Sequence, residues 1–294
     1  MQQSIRTDMA LERLDFANKK HGHGRGMSGV SYRRKTICGF HVHIMDIQTE
    51  EAAANLCKPV GRYITVSLKK MIKRCDDSFI DGVMCLSGLM KDLLPKGNKY
   101  LIACLGNPNI TPDAIGPLCA KHLMVTRHLK AYMPDTFSDF AEVSLVCPGV
   151  LGTTGIESAS LVKGAVDAVH PDGVIVIDAL AAGNMERLCT TIQICNTGIE
   201  PGSGVGNRRF ALNSETLGVP VISAGIPTIV DVSTLLYSIA PDTVSEDSEK
   251  NNHMMVTPRE IDSFVADSAK LLAYGLNFAL HKDLTLGDVD LFVG

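Results

Sequence analysis

LIACLGNPNITPDAIGP, residues 101–117, is the stretch that decides how this chain folds. It opens with a short apolar run, which predicts a buried strand, and a Gly/Asn/Pro cluster then ends that strand. From Asp113 onward the apolar residues recur at helical spacing. Asp113 is therefore placed on the loop that leaves the carboxyl end of a strand, where open α/β sheets have their ligand crevices.

A second stretch repeats this layout. Residues 173–178, GVIVID, form a β-branched run that predicts a buried strand ending at an acidic residue, Asp178. Two aspartates at the ends of two hydrophobic strands are the groups that a water-activating hydrolase needs. When two carboxyl groups lie close together and are buried, their pKa values move apart, so that one is ionised and the other is neutral. The ionised group takes a proton from water, and the neutral group hydrogen-bonds the scissile carbonyl.

Strand-like and helix-like segments alternate along the chain, and this order predicts an α/β protein. We expect three layers, with a doubly wound, mostly parallel sheet and small β additions. The chain has no internal repeat and no shift in composition that would mark a second domain. Besides the two stretches above, the predicted strands cover residues 36–46, 61–67, 143–147 and 219–227. The first predicted helix begins after Asp8, its candidate N-cap. The other predicted helices cover residues 68–95, 115–129, 158–168, 228–237 and 258–281, the last with Thr257 as its candidate N-cap.

The composition is that of an ordinary globular protein and argues against several function classes. Of 294 residues, 45% are hydrophobic and 20% are charged, and the formal net charge of -4 gives no footprint for nucleic-acid binding. No apolar run approaches the roughly 20 residues of a membrane span. The polar N-terminus does not resemble a signal peptide. We therefore expect a cytoplasmic protein that binds neither nucleic acid nor membrane directly.

The cysteines and histidines give no clear metal site. Nine cysteines are scattered without a C-x-x-C pair, and we expect free, buried thiols in a reducing compartment. His21 and His23 lie in a Gly/His-rich segment that predicts an exposed loop. His41 and His43 are two residues apart on a predicted strand, where they share a face. Each pair is at most part of a metal site, and a solvent-facing polar stripe is the more common arrangement.

Other catalytic motifs are missing from the sequence. Residues 202–207 are rich in glycine and suggest nucleotide binding, but Asn207 stands where the dinucleotide fingerprint has its third glycine. The Walker pattern, the G-x-S-x-G of serine hydrolases and the H-E-x-x-H of zinc proteases are also absent. Carboxylate chemistry is what remains.

Several long and uncommon motifs together resemble the bacterial germination proteases, the spore endopeptidases of endospore formers. The resemblance extends over nearly the whole chain. The matching segments are residues 105–117, 125–129, 148–157, 176–180, 190–194, 196–207, 225–231 and 255–262.

This resemblance implies an endopeptidase that degrades small acid-soluble spore proteins during germination, in the cytoplasm of the spore core. It also implies an inactive precursor, a homotetramer, no cofactor, and a core similar to that of hydrogenase maturation proteases. The two catalytic aspartates proposed for the family fall on Asp113 and Asp178. The strand ends point to the same two residues independently.

The N-terminus carries a further part of the resemblance. The sequence RTDM, residues 6–9, looks like the processing site of the family, with cleavage between Asp8 and Met9. Cleavage there would separate a propeptide, residues 1–8, from a single peptidase domain, residues 9–294. An acidic residue before the scissile bond calls for a cationic pocket. The candidates for that pocket are Arg127, Arg187, Arg208 and Arg209.

Other hypotheses stay open beside the aspartate-dependent peptidase. In a metal-dependent peptidase the same two aspartates would bind a divalent ion that activates water. The candidates for a further ligand are His122, His128 and His170. In a different class, the fold would serve a non-catalytic peptide-binding, scaffold or nucleotide-binding module. The presence of both aspartates favours an enzyme.

Overall fold

The apolar runs of the sequence come together in one sheet with helices on both sides. The computed structural model describes residues 6–21, 27–72, 77–202, 210–239 and 254–293. Its strands are β1 (Val30–Ile37), β2 (Phe40–Ile47), β3 (Gly61–Ser67), β4 (Lys99–Cys104), β5 (Glu142–Val146), β6 (Gly173–Ala182), β7 (Thr191–Cys195), β8 (Val221–Asp231) and β9 (Met255–Val256).

Helices of very different length connect these strands. They are α1 (Ala10–His21), α2 (Glu50–Leu56), α3 (Lys69–Ile72), α4 (Ser78–Lys91), α5 (Ile115–Ala120), α6 (Arg127–Tyr132), α7 (Leu151–Thr154), α8 (Ser158–Val169), α9 (Ser214–Leu217), α10 (Val232–Ile239), α11 (Ile261–Leu280) and α12 (Leu286–Val293). Short 3-10 turns occur at Thr111–Asp113 and Met185–Arg187.

The sheet is mixed. Its strands are ordered β1-β2-β3-β7-β8-β6-β4-β5, and β9 pairs with β8. β8, β6, β4 and β5 are parallel to one another, whereas β1, β2, β3 and β7 run antiparallel to their neighbours. The α/β class that the sequence predicts is confirmed. The parallel strands form one half of the sheet, and the antiparallel strands form the other half.

One side of the sheet, which we call face A, is covered by α4, α5 and α11. α11 packs against both α4 and α5. The largest apolar cluster of the protein lies between these helices and the strands, and it includes the buried side chains of Ile175, Ile177 and Leu272. Burial of this apolar surface is the main favourable contribution to folding.

The opposite side, which we call face B, is covered by two separate groups of helices. α8 and α9 pack over the parallel strands, where Val176 is buried, and α1 and α2 pack over the antiparallel strands, where Cys195 is buried. Val176 and Cys195 are both paired in register with Ser223 of β8, so their side chains point to the same face. A strip of β6, β8 and β7 lies between the two helix groups.

The segment predicted as one strand at residues 36–46 contains a hairpin. β1 and β2 pair in antiparallel register from Val30 with Ile47 to Ile37 with Phe40. The turn between them is made by Cys38 and Gly39, which both have positive φ angles of 47° and 78°. Alternation of polar and apolar residues is the same before and after a two-residue turn, so it does not reveal the reversal.

The predicted helix at 115–129 is divided into α5 and α6. The residues between them bond to other parts of the protein: the Met124 N–H donates to Asn277 Oδ1 at 3.0 Å, and the Thr126 N–H donates to the Val143 carbonyl at 3.1 Å. These tertiary hydrogen bonds replace the helical ones. Helical spacing alone therefore overestimates the length of the helix.

The C-terminal part of the chain differs from the prediction in two places. Residues 228–231, predicted as helix, continue β8, because Val230 pairs with both Ala182 of β6 and Val256 of β9. α11 begins at Ile261 with Glu260 as its N-cap, and the hydroxyl of Thr257 instead donates to the Thr228 carbonyl at 2.9 Å. Sheet pairing decides both outcomes.

The described residues bear on two expectations from the sequence, the absence of a membrane span and the free state of the cysteines. Within them, no helix is both long and apolar enough to cross a membrane. Eight of the cysteines are free thiols, and Cys75 lies outside the described residues. The buried ones are Cys85, Cys104, Cys119, Cys189 and Cys195, and the exposed ones are Cys38, Cys57 and Cys147.

Candidate active site

Asp113 lies on the 3-10 turn that follows β4, and two glycines shape its loop. The Asn107 N–H donates to Asp113 Oδ2 at 2.9 Å and to the Asp113 carbonyl at 3.0 Å. Gly106 has a φ angle of +114°, and a Cβ atom there would lie 2.0 Å from the Asp113 carbonyl oxygen. A Cβ at Gly116 would lie 2.1 Å from the Leu105 carbonyl oxygen. Only glycine fits at either position, so the loop holds the Asp113 carboxyl in one place.

Asp178 lies within β6, next to the strand that leads to Asp113. The prediction that the strand ends at Asp178 is wrong, because β6 continues to Ala182 and remains paired with β8. β4 leaves β6 earlier: the last paired residues are Cys104 and Ile177, and the Leu105 N–H donates to the Ile177 carbonyl at 2.8 Å. Asp178 is thus the first residue of β6 beyond the end of β4.

The side chain of Asp178 points to face B. Residues two apart on a strand share a face, so Asp178 follows Val174 and Val176, which are buried under α8. Leu180 comes next on the same face and lines a cavity between the two helix groups. The residues that β6 places on face B therefore change from apolar to acidic at Asp178, where the two helix groups leave a gap.

Burial raises the pKa values of both carboxyl groups, and neighbouring charges raise that of Asp178 further. Asp178 is only 6% exposed, and its burial raises its pKa well above the ordinary value. The charges of Asp113 and Asp8 raise that pKa further, while the Ala179 N–H, 2.9 Å from Asp178 Oδ1, opposes them. Burial raises the pKa of Asp113 to about 6, against a hydrogen bond from the Asn107 backbone. Such a pair can hold one neutral and one ionised carboxyl near neutral pH.

The N-terminal segment of the chain lies on the edge of β6 that β4 has left. The Asp8 N–H donates to the Ala181 carbonyl at 2.9 Å, and the Ala181 N–H donates to Asp8 Oδ2 at 2.8 Å. Ala181 is four residues beyond Ile177, so its main-chain groups point to the same edge as those that bind Leu105. Gln193 fixes Asp8 from the other side, because its Nε2 donates to the Asp8 carbonyl at 3.1 Å.

Further contacts make this segment part of the packed structure. Met9 is fully buried, and Arg6 pairs with the buried carboxylate of Asp231 at 3.2 Å. Glu12 binds the hydroxyl of Thr7 and accepts the Gly183 N–H at 2.5 Å. Burial also raises the pKa of Glu12. The candidate cleavage site between Asp8 and Met9 is therefore enclosed by the protein.

A cavity of about 100 Å³ opens beside Asp8 on face B. It lies between α1 and the end of α2 on one side and the strip of β6, β8 and β7 on the other. Polar and charged side chains make up much of its wall, and those that matter below are Asp8, Arg13, Lys58, Tyr63, Gln193 and Glu200.

Comparison with known proteins assigns the chain to a family. A family model described as germination protease matches residues 7–245 and 248–293. The chain belongs to the germination protease family. Relatives in this family include the germination proteases of Clostridium perfringens, 38% identical over 99% of both chains, and Caldanaerobacter subterraneus, 40% identical over 96% of this chain and 95% of that one. Family membership makes this chain a protease.

Two further matches extend the comparison. The germination protease of Bacillus subtilis is 35% identical over 96% of this chain and 94% of its own. Among solved structures, the NiFe hydrogenase maturation protease HycI from Thermococcus kodakarensis matches with a TM-score of 0.37 and 19% identity. That match covers 64% of this chain and 98% of that one.

The arginines predicted to form a cationic pocket in this protease lie elsewhere or outside the described residues. Arg127 is exposed on α6 and pairs with Glu142 at 3.2 Å. Arg187 pairs with Asp15 and lies 3.7 Å from Glu12. Arg208 and Arg209 are outside the described residues, as is most of the glycine-rich segment around them. The cations of the cavity, Lys58 and Arg13, carry no local motif that sequence reasoning would find.

The histidines considered as metal ligands are dispersed. His122 packs near the ring of Tyr274 under α11, and burial lowers its pKa. His128 is exposed on α6, and His170 caps the C-terminal end of α8. In the part of the chain that the structure describes, no group of three or more His, Cys, Asp or Glu side chains is placed to bind a metal ion.

Of the paired histidines in the N-terminal region, His41 and His43 belong to no group of three or more possible metal ligands within the same ranges. His43 Nδ1 lies 2.6 Å from the Tyr32 hydroxyl, and His41 is exposed on β2. His23 lies outside the described residues, and His21 ends α1.

Proposed function

We propose that this protein is a self-processing endopeptidase in which Asp113 and Asp178 activate a water molecule. One observation carries the proposal. Two carboxyl groups with raised pKa values lie at the end of β4 and on β6, and the enclosed Asp8 segment lies against the same strand. The chain therefore presents a peptide bond of its own next to the groups that would cleave it.

The two carboxyl groups have different roles. Asp178 is the more deeply buried and has its pKa raised well above the ordinary value, so we assign it the neutral role, in which its O–H donates to the scissile carbonyl oxygen. Asp113, with a pKa of about 6, is ionised and accepts a proton from the attacking water. The proton then passes from Asp113 to the leaving amine. Negative charge on the tetrahedral oxygen is stabilised by the Asp178 hydrogen bond.

Self-processing occurs between Asp8 and Met9. Residues 1–8 are the propeptide, and residues 9–294 form a single peptidase domain. The support is the position of Asp8 on the edge of β6, where its N–H and its carboxylate both bind the backbone of Ala181, three residues beyond Asp178. A peptide laid on a strand edge is a common recognition mode. A substrate chain would occupy the same edge after the propeptide has left.

The substrates of the mature enzyme are small acid-soluble spore proteins, which it cleaves after acidic residues during germination. It acts in the cytoplasm of the spore core as a homotetramer. This part of the proposal rests on family membership and on the acidic residue at the processing site.

The test is to incubate purified full-length protein at mildly acidic pH, with and without a chelator, and to read its new N-terminus by mass spectrometry. We expect a chain beginning at Met9 in both arms. Asp113→Asn and Asp178→Asn should each prevent its appearance. Asp167→Asn is the matched control, because Asp167 is exposed on α8 and pairs with Lys163 of the same helix.

Each contrary outcome removes a defined part of the proposal. Processing by Asp113→Asn or Asp178→Asn at the rate of the unaltered chain removes that residue from the mechanism. Loss of processing only in the chelator arm would favour a metal ion bound by the same two aspartates. A new N-terminus elsewhere would show that Asp8 is not the processing site.

A further inference from the structure

Among the residues that the structure describes, Lys58 and Arg13 are the two cations that line the cavity beside Asp8. We propose that they form the pocket that binds the acidic side chain preceding the scissile bond, first that of Asp8 and later that of each substrate. This inference rests on the proposed function. It assigns the specificity of the site to residues that belong to none of the motifs recognised in the sequence.

The backbone around Lys58 holds its side chain at the cavity. Cys57 ends α2 with a left-handed φ angle of 51°, and the Lys58 N–H returns to the Ala53 carbonyl at 3.1 Å. The next residue, Pro59, accepts the Tyr63 hydroxyl at 2.8 Å through its carbonyl. The turn is thus tied to both α2 and β3. Because the turn is held in place, the Cα atom of Lys58 is fixed beside the cavity while its long side chain can adjust to a bound group.

Arg13 approaches the same cavity from α1. Its Nη2 donates to the Thr7 carbonyl at 3.4 Å, which places the guanidinium beside the residue before Asp8. The Nε of Arg13 is buried and has no hydrogen-bond partner among the described residues. Leaving a buried charged donor unpaired is costly, so a further acceptor oxygen bound in the cavity would stabilise this guanidinium.

The charges in the cavity suit a carboxylate. Burial lowers the pKa of Lys58, and the positive charge of Arg13 lowers it further. Among the groups that raise this pKa, the negative charge of Asp8 has the largest effect. Glu200 also lines the cavity and balances one of the two cations. When the propeptide leaves with Asp8, the described lining residues keep one positive charge that Glu200 does not balance. An incoming acidic side chain restores neutrality.

The position of the pocket agrees with the geometry of the peptide. Asp8 is held by Ala181 and Gln193 through its main chain, so its side chain cannot slide along the strand. The cavity and Asp178 lie on the same face of the sheet, and the cavity is lined by Leu180, the next residue of β6 on that face, and by Gly225, which is paired with Asp178. A side chain bound by Lys58 therefore sets which peptide bond reaches the aspartate pair.

The first experiment needs no catalytic activity. Asp8→Asn and Lys58→Gln are combined in a double-mutant cycle on the full chain carrying Asp178→Asn, and the urea midpoint of unfolding is measured for each variant. Lys58→Gln should lower the midpoint more in the presence of Asp8 than in the Asp8→Asn background. Equal shifts in both backgrounds would mean that the two side chains do not interact, and would overturn the proposal.

The second experiment measures specificity in the processed enzyme. Two peptides that differ only in Glu or Gln before the scissile bond are compared by kcat/KM. Since hydrogen bonds to charged groups are worth about 1.5–3 kcal/mol, Lys58→Gln should reduce the Glu:Gln ratio about 10- to 100-fold. Lys58→Arg should retain most of the preference. Lys163→Gln, which alters an exposed lysine on α8, should leave the ratio unchanged.

The two experiments separate failure of the pocket from failure of the enzyme. If the unaltered protein cleaves neither itself nor either peptide, the proposed function is wrong, while the unfolding cycle still reports whether Lys58 binds Asp8. If the enzyme prefers Glu and Lys58→Gln keeps that preference in full, the pocket is wrong even if the cycle shows coupling. Lys58 would then be a structural partner of the precursor alone.

Discussion

Face A of the sheet carries one apolar cluster under α4, α5 and α11, whereas face B carries two apolar clusters under two helix groups, with a polar strip between them. Alternate residues of the same strand, β6, supply both faces. Ile175 and Ile177 are packed on face A, and Asp178 follows Val176 on face B. Face A therefore holds the fold together, and face B leaves room for chemistry.

This difference between the two faces explains why the buried carboxyl group of Asp178 lies on face B. Removing an ionised group from water is expensive, and a continuous apolar cover would force Asp178 to remain neutral with no access to substrate. On face B the interruption between the helix groups is filled by Asp8, Gln193 and a cavity. The protein thus places its acid where a peptide can reach it.

Replacing the aspartates of face B should have the largest effect. Asp113→Asn and Asp178→Asn should each reduce the rate of processing by about 1,000-fold or more, and the double variant should be no worse, because residues that act as a unit lose their effect together. Mass spectrometry of the N-terminus over time gives the rates. Losses that multiply in the double variant would mean that the two groups act separately.

Truncating a side chain on face A should affect stability and spare activity. Leu272 is fully buried on α11, and Leu272→Ala should lower the free energy of unfolding by about 2–5 kcal/mol. Urea unfolding measures this loss. The processing rate per folded molecule should stay within about twofold of the unaltered chain. A large loss of rate in the folded variant would contradict the division of labour between the faces.

The loop of Asp113 should be sensitive to a single methyl group. Gly106→Ala introduces a Cβ 2.0 Å from the Asp113 carbonyl at a φ angle of +114°, and we expect about 1–3 kcal/mol of destabilisation together with a strong loss of processing. Gly164→Ala is the control. Nothing lies within 4 Å of its Cβ on α8, so it should be neutral or stabilising. Equal behaviour of the two variants would remove the positioning role of the loop.

The smallest expected effect is on the pH dependence of stability. The pKa of Asp113 rises from 3.8 to about 6 on folding, so the folded state binds more protons in that range and its stability falls as pH rises through it. For a partly exposed group, the free energy of unfolding should fall by about 1–2 kcal/mol between about pH 4 and pH 7. Asp113→Asn should flatten the curve of unfolding free energy by that amount. An unchanged curve would place the pKa of Asp113 at its ordinary value.

The sequence predicts the parts of the site that local pattern encodes. The end of β4, the turn at Gly106 and the acidic residue on β6 each follow from a short run of residues, so Asp113 and Asp178 could be selected before the structure. The family motifs point to the same pair. Even there, the continuation of β6 beyond Asp178 depends on pairing with β8, which a single strand does not show.

The parts that were missed depend on distant segments. Lys58 follows the C-cap of α2, Arg13 belongs to α1, and both line the cavity beside Asp8 because both helices pack on face B. The arginines chosen from the sequence, Arg127 and Arg187, have carboxylate partners of their own. The spacing of residues along the chain does not predict contacts between such distant segments, because these contacts depend on the order of strands in the sheet.

The most direct measurement is a titration of the two carboxyl groups by carbon-13 NMR, with aspartate labelled and each signal assigned through its Asn variant. We expect Asp113 to titrate with a midpoint near 6 and Asp178 to titrate well above its ordinary pKa of 3.8. Ionisation of both groups near the ordinary value of 3.8 would contradict this expectation, because no neutral acid would then remain to polarise the scissile carbonyl.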